Sequence, residues 1–246
     1  MSTRPDRAGE ADRPRVLMLA TRDDDPARML ADRLGEGTLV IAPQDLSRPG
    51  WTYARKPSLR TGVSRHGRFR AGDLTAVVSR ISAVQPVDLT HVRTGDRDYV
   101  AAEMTAFLRA WLTGLPCPVV NPPTATCLSG PALTDHQWVV LCTQLSVPVR
   151  PARLTVPAAP DHRHTPAACR VTICRGASTA TGPCSAMLLE HARRLAARVR
   201  AEWLAVTFDR GDHQAAVCQV QTWPDLADPA TREALVHALT GSGAGS

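Results

Sequence analysis

The chain has 246 residues, 43% of them apolar and 21% charged, so it can bury a real core as one large domain or two small ones. No apolar run approaches the ~18 residues of a membrane-spanning helix, and the polar opening MSTRPDRAGEADRPR lacks the apolar stretch of a secretory signal, so a cytoplasmic protein with no membrane partner is expected. Net charge is +6, but Lys56 is the only lysine, and two Tyr and three Phe beside five Trp are too few aromatics for a nucleic-acid stacking surface, so no nucleic-acid partner is expected.

Residues 1–14 are polar, charged and aperiodic and read as a disordered arm. Residues 15–20 (RVLMLA) read as a buried parallel-type strand. Asp24-Asp25-Pro26 then starts a helix through Met29, Leu30 and Leu34, closed by Gly35 and Gly37, and a second strand covers 38–42. This β-α-β order suits an open parallel sheet, and the absence of G-x-G-x-x-G argues against a dinucleotide site.

Residues 51–70 (WTYARKPSLRTGVSRHGRFR) are poor in apolar residues and carry Gly62 and Gly67, which predicts a hairpin at a sheet edge. Arg55, Lys56, Arg60, Arg65, Arg68 and Arg70, with Arg48 just before them, form a basic row suited to an acidic peptide or a phosphate. The same charges also suit protection of an exposed edge. Residues 74–81 (LTAVVSRI) are the next buried strand, ending near Arg80, for which Glu103 is one possible partner. A helix through Val100, Met104, Phe107, Leu108, Trp111 and Leu112 leads to a strand at 118–120, stopped by Asn121-Pro122-Pro123. A second helix runs through Trp138, Val139, Leu141, Cys142 and Leu145, with Asp135 favoured at its start as a cap. Residues 146–149 return to an extended form before Pro148 and Pro151.

Residues 153–168 hold no strand-length apolar run beyond 154–156. After them come a strand at 169–174 (CRVTIC) and an amphipathic helix at 185–199 with Met187, Leu188, Leu195, Ala196 and Val199 inward. Strands at 203–208 and 215–221 follow, joined by Asp209-Arg210-Gly211-Asp212, then a helix at 229–239 and a flexible tail at 241–246. Trp111, Trp138, Trp203 and Trp223 are assigned to packing. Seven irregularly spaced cysteines argue for reduced thiols, with Cys117, Cys142 and Cys218 as small core residues. His162, His164, Cys169, Cys174 and Cys184 match no compact zinc spacing, and no G-x-S-x-G occurs.

The succession of helix, strand, Asn121-Pro122 turn, helix and Leu145-Ser146-Val147-Pro148-Val149-Arg150-Pro151 resembles the junction between the first and middle domains of peptide-modifying ATP-grasp ligases, where a G-[IV]-P-[VT]-P element enters the nucleotide lobe. A strand ending near Arg80 extends the resemblance backwards, and helix, strand, turn and strand over 185–221 extend it to the C-terminal part. The resemblance implies an α/β fold. An N-terminal open parallel-sheet, pre-ATP-grasp-like domain would span 15–123, and a reduced C-terminal ATP-grasp-like α+β domain would span 124–240.

The departures from the family pattern are equally specific. Residues 153–168 stand where several strands, a Gly-rich loop and a phosphate-binding lysine would be. The family's Glu-x-Asn pair, which with an upstream Asp holds Mg²⁺ on ATP, is matched by Gln219-Val220-Gln221, and Asp209 alone keeps a carboxylate. Magnesium needs hard, preferably anionic oxygens, and phosphoryl transfer rests on charge neutralisation and positioning. His136 stands near the position from which a basic residue approaches the nucleotide.

The expectation is therefore a degenerate ATP-grasp-like protein with no catalytic residue, metal or cofactor, in which Asp209, Gln219, Gln221 and His136 are relics of the metal and nucleotide site. Its partner would be a peptide or a protein, an active ATP-grasp ligase among the options, contacted by Arg55, Arg60, Arg65, Arg68 and Arg80. The alternative is an active ATP-dependent carboxylate-amine ligase, with ATP and Mg²⁺ held by an atypical site of Arg80, His136, Arg150, Asp209 and Gln221.

Overall fold

The computed structural model describes residues 15–151 and 168–240. The expectations for the arm at 1–14, the tail at 241–246 and the stretch around His162 and His164 lie outside the described residues. Strand β1 (Arg15–Leu19) leads into helix α1 (Asp25–Leu34), where Asp24 Oδ1 accepts a hydrogen bond from the Ala27 N–H and caps the first turn. Next come β2 (Thr38–Ile41), the hairpin strands β3 (Thr61–Ser64) and β4 (Gly67–Arg70), β5 (Leu74–Ser79), helix α2 (Arg97–Leu112) and the short β6 (Val119–Val120). The order β2-β1-β5-β6, parallel at every pairing, gives the open sheet that the β-α-β pattern predicts.

Alternation along these strands divides the side chains between two cores. Leu17, Leu19 and Val77 pack with Ala101, Leu108, Trp111 and Leu112 of α2. Val16, Met18, Ala76 and Val78 pack on the other face with Ala27 and Leu30 of α1. The basic stretch does form a hairpin, but β3 and β4 make a separate two-stranded sheet, extended by a single antiparallel bridge from Thr61 to Thr52, and not the edge of the main one. The reason is aromatic. Phe69, Trp51, Phe107 and Trp111 meet edge to face at centroid distances of 5.5 to 6.1 Å, which fastens the hairpin onto α2. Gly62 is required there, because a Cβ would lie 2.3 Å from the Phe69 ring.

Helix α3 (Asp135–Gln144) is capped by Thr134, not by Asp135. Thr134 Oγ1 accepts from the Gln137 N–H while Gln137 Oε1 accepts from the Thr134 N–H. Strand β7 (Cys169–Cys174), strand β8 (Ala177–Thr181), helix α4 (Ala186–Val199), strands β9 (Trp203–Phe208) and β10 (Val217–Gln221), and helix α5 (Pro229–Thr240) complete the chain order. The second sheet runs β10-β9-β7-β8 and is antiparallel throughout. One face packs on α3 and α4 through Val171, Leu188, Leu195, Val206, Phe208 and Val220. Met187, expected inward, is 47% exposed, and His191 takes the buried place one turn further along α4. Cys174 and Trp203, on the other face, enter the same apolar cluster as Val16, Leu30, Leu235 and Leu239, so the two sheets share a core.

Candidate functional site

Asn121, which the sequence shows only as a strand stop, is 1% exposed and ties the sheets together. Its Nδ2 donates to the Trp203 and Thr222 carbonyls at 2.9 Å each, and its Oδ1 accepts from the Trp203 N–H at 2.6 Å. Gly130, at φ +101°, passes so close that a Cβ there would sit 2.4 Å from the Asn121 Cβ. The ends of β6, β9 and β10 are thereby fixed around one amide.

The positions that the resemblance assigns to a metal site lie just past the end of β9 and on β10. Asp209 follows β9 directly. Its Oδ1 accepts from the Ala216 N–H at 2.8 Å, and its Oδ2 accepts from Arg150 Nη2 at 3.1 Å and Nε at 3.2 Å. Burial alone would raise its pKa, but the Ala216 N–H and the Arg150 and Arg210 guanidiniums outweigh burial and hold it below the ordinary carboxylate value. Gln219 faces Thr207 and Gln221 faces Ala205 across the ladder. Because Val220 packs into the core with α3 and α4, both glutamines project from the opposite face of the sheet. Gln219 is exposed; Gln221 is half-buried, with an Oε1 that is buried and has no hydrogen-bond partner. His136 is exposed on the first turn of α3. Among the described residues, no three His, Cys, Asp or Glu side chains converge where they could hold a metal ion.

The basic candidates separate sharply. Arg55, Arg65 and Arg68 are exposed, and Arg65 Nε donates to His66 Nε2. Arg60 is not a surface residue: it is 3% exposed. Its guanidinium donates to the carbonyls of Ala54, Ala110, Trp111 and Thr113 at 2.6 to 3.1 Å and stacks 4.5 Å over Tyr53. It therefore closes the C-terminal end of α2, where a cation meets the negative end of the helix dipole. Arg80 does not reach Glu103, which is exposed on α2. It forms a two-point ion pair with Asp24, at 2.7 and 3.2 Å, and so ties the end of β5 to the cap of α1.

The cysteines are quiet. Burial pushes the Cys117 and Cys142 thiols up to about 11, and those of Cys169 and Cys174 to about 12, the hydrogen bond to Cys184 adding to the shift at Cys169. All four are protonated at neutral pH and poor nucleophiles. Among the described residues no helix is long and apolar enough to cross a membrane.

A crevice of about 350 Å³ opens where the loops after β5 and β6 meet β10 and α3, lined in part by Ser82, Leu133, Trp138, Gln221 and Trp223. No spacing motif marks it in the sequence, because it forms from four separate segments.

No protein-family model and no curated protein sequence matches the chain. Solved structures do. The macrocyclase MdnC of Microcystis aeruginosa MRC, bound with precursor peptide MdnA, superposes with a TM-score of 0.62 at 11% identity over 92% of this chain and 99% of that one. The ATP-grasp ligase PsnB complexed with a minimal precursor gives 0.65 at 12% identity over 93% and 99%. A RiPP-associated ATP-grasp ligase of Chryseobacterium gregarium, in complex with ADP and a leader and core peptide, gives 0.64 at 7% identity over 94% and 98%. Agreement at such identities establishes architecture, and the architecture of this chain is ATP-grasp-like: a parallel α/β sheet joined through a shared core to an antiparallel sheet.

Proposed function

We propose that the protein is an ATP-grasp-like peptide-binding accessory without a competent ATP and magnesium site. The Asp209–Arg150 ion pair carries this reading. In a site built for Mg²⁺ the carboxylate must offer its charge to the cation; here a guanidinium already neutralises it, and a backbone N–H occupies its other oxygen. Gln219 and Gln221 supply amide oxygens where the family pattern has a carboxylate and an Asn, and neither replaces the missing charge. Residues that do not fit the metal give no route to phosphoryl transfer, so no catalytic step is assigned.

A peptide partner is supported by the company the fold keeps, since the macrocyclase and both ligases superposed above were solved with precursor, leader or core peptides. The exposed Arg55, Arg65 and Arg68 on the hairpin offer an acidic segment charge-assisted hydrogen bonds. Arg60 and Arg80, bound internally, take no part. The test is an ADP-release assay with Mg²⁺ or Mn²⁺ and acidic peptides in the presence of free amino acids. No release above the protein-free rate is expected. Turnover that requires Asp209 would replace this reading with that of an active carboxylate-amine ligase.

A further inference from the structure

Cys169 and Cys184 are brought together from opposite ends of the β7–β8 hairpin. In its ladder Arg170 pairs with Thr181, which places Cys169 and Gly182 opposite each other one step further on. Gly182, at φ +89°, passes so close that a Cβ there would lie 2.3 Å from the Ala168 carbonyl oxygen and 3.7 Å from the Cys169 Cα. The chain then turns through Pro183, and Cys184 packs against the same apolar cluster of β7, α3 and α4 that buries Cys169. The two thiols lie near enough to share a hydrogen bond, and neither is in a disulfide.

Their exposures differ in a way that assigns roles. Cys169 is 1% exposed, whereas Cys184 is half-buried and within reach of solvent. A small oxidant therefore meets Cys184 first, with Cys169 behind it as the resolving thiol. Bringing two hydrogen-bonded sulfurs to the bonding separation of about 2 Å calls for side-chain rotation, not for movement of the ladder. Burial keeps Cys169 protonated at neutral pH, which slows its attack, but a reaction partner already held in contact offsets that by proximity. The loop that carries Cys184 is itself anchored. The Ser185 N–H donates to the Gly211 carbonyl at 2.9 Å, and a Cβ on Gly211 would sit 2.2 Å from the Pro183 carbonyl oxygen. A bond between the sulfurs would thus fasten the first residue of β7 to the turn that follows Asp209.

We propose that Cys169 and Cys184 form a thiol-disulfide redox site, oxidised to an intramolecular disulfide by low-molecular-weight disulfides of the glutathione type. The Cys184 sulfur, as its thiolate, attacks one sulfur of glutathione disulfide. That S–S bond breaks, and the first glutathione leaves as a thiolate and takes up the proton released by Cys184. Cys169 then loses its proton, attacks the Cys184 sulfur and expels the second glutathione, which takes that proton. Two protein thiols are oxidised by two electrons, and one glutathione disulfide is reduced to two thiols. The product closes the ring from Cys169 to Cys184, restricts the unfolded chain and so stabilises the antiparallel sheet.

The test equilibrates the full chain in glutathione buffers running from fully reduced to fully oxidised, quenches with iodoacetamide and maps the tryptic peptides. Cleavage after Arg163, Arg170, Arg175 and Arg193 puts Cys169, Cys174 and Cys184 on separate peptides. At the oxidised end, an intact mass lower by two hydrogens and a Cys169–Cys184 crosslink reversed by dithiothreitol are expected. The thermal midpoint should rise by about 5 °C or more over that of the reduced chain. Cys184→Ser, at a half-exposed position, should keep the fold and lose both the crosslink and the rise, and Cys169→Ala should lose them too. Glutathione retained on Cys184 without a crosslink, no reaction at either thiol, or a crosslink to a different cysteine would overturn the assignment. So would a crosslinked chain whose midpoint fails to rise. With no nucleotide or peptide present, the outcome is independent of the peptide-binding reading.

Discussion

Arg60 sits in a row of seven basic residues, and nothing in its type separates it from its neighbours. Only tertiary structure does so, because the carbonyls it binds at Ala110, Trp111 and Thr113 are about fifty positions away in sequence. Replacing it leaves buried acceptors unpaired, each costing roughly 1–3 kcal/mol. Arg60→Ala should therefore lower unfolding free energy by about 2–4 kcal/mol in urea titrations, whereas Arg65→Ala or Arg68→Ala should change it by no more than about 0.5–1 kcal/mol. A neutral Arg60→Ala would refute the helix-closing role.

Asn121 belongs to the same class of residue, legible as a stop signal and illegible as a joint. Asn121→Ala removes three hydrogen bonds from Trp203 and Thr222 and is predicted to cost about 2–4 kcal/mol, read as a lower urea midpoint. His191 supplies a pH dependence. Burial, with the Arg194 guanidinium adding to it and Glu190 opposing, depresses its pKa. The unfolded chain then binds the proton more readily than the folded one, so stability falls as pH drops below about 6.5, the ordinary histidine value, and through the depressed folded value. Thermal midpoints measured between pH 7.5 and 5 should decline, and His191→Gln should flatten that decline.

At the scale of elements, strands with an alternating or continuous apolar pattern were readable: β1, β5, β7 and β9 each bury at least every second side chain. Strand β8 was not, because Ala-Ser-Thr-Ala-Thr is exposed throughout most of its length and is held by its ladder to β7, not by a hydrophobic face. The sequence points to Asp135 as the cap of α3 where Thr134 serves, for a related reason: both are good start residues, and the reciprocal bonds with Gln137 choose between them.

The hairpin carries the element-scale prediction. Its aromatic anchor lies on Phe69 and its exposed charges on Arg65 and Arg68, so binding and folding are separable there. The double substitution Arg65→Ala with Arg68→Ala should keep the unfolding midpoint. It should also weaken capture of an acidic peptide at low ionic strength, with the difference shrinking in high salt as screening shortens the reach of the charges. Unchanged capture at low salt would make the hairpin a charged surface with no role in recognition.

The order of elements across the whole molecule was sufficient to indicate an ATP-grasp-like architecture, because a parallel β-α-β start and a helix-strand-turn-strand finish are legible in this chain although its identity to the superposed proteins is only 7 to 12%. The candidate site was legible only as a set of positions. That Asp209 would be met by Arg150, 59 residues earlier, depended on the Val149–Val217 bridge, which brings the segment after α3 alongside β10. The crevice was invisible for the same reason, since Ser82, Leu133, Trp138 and Trp223 share no local pattern.

The central claim is that Arg150 occupies Asp209 and that the glutamines leave no place for a metal-bound nucleotide. Titration calorimetry of the full chain with ATP in millimolar Mg²⁺ tests it most directly. The account predicts no saturable heat up to about 1 mM nucleotide, a range that spans the KM values typical of enzymes. A micromolar dissociation constant that vanishes on chelating Mg²⁺ and in Asp209→Asn would contradict it.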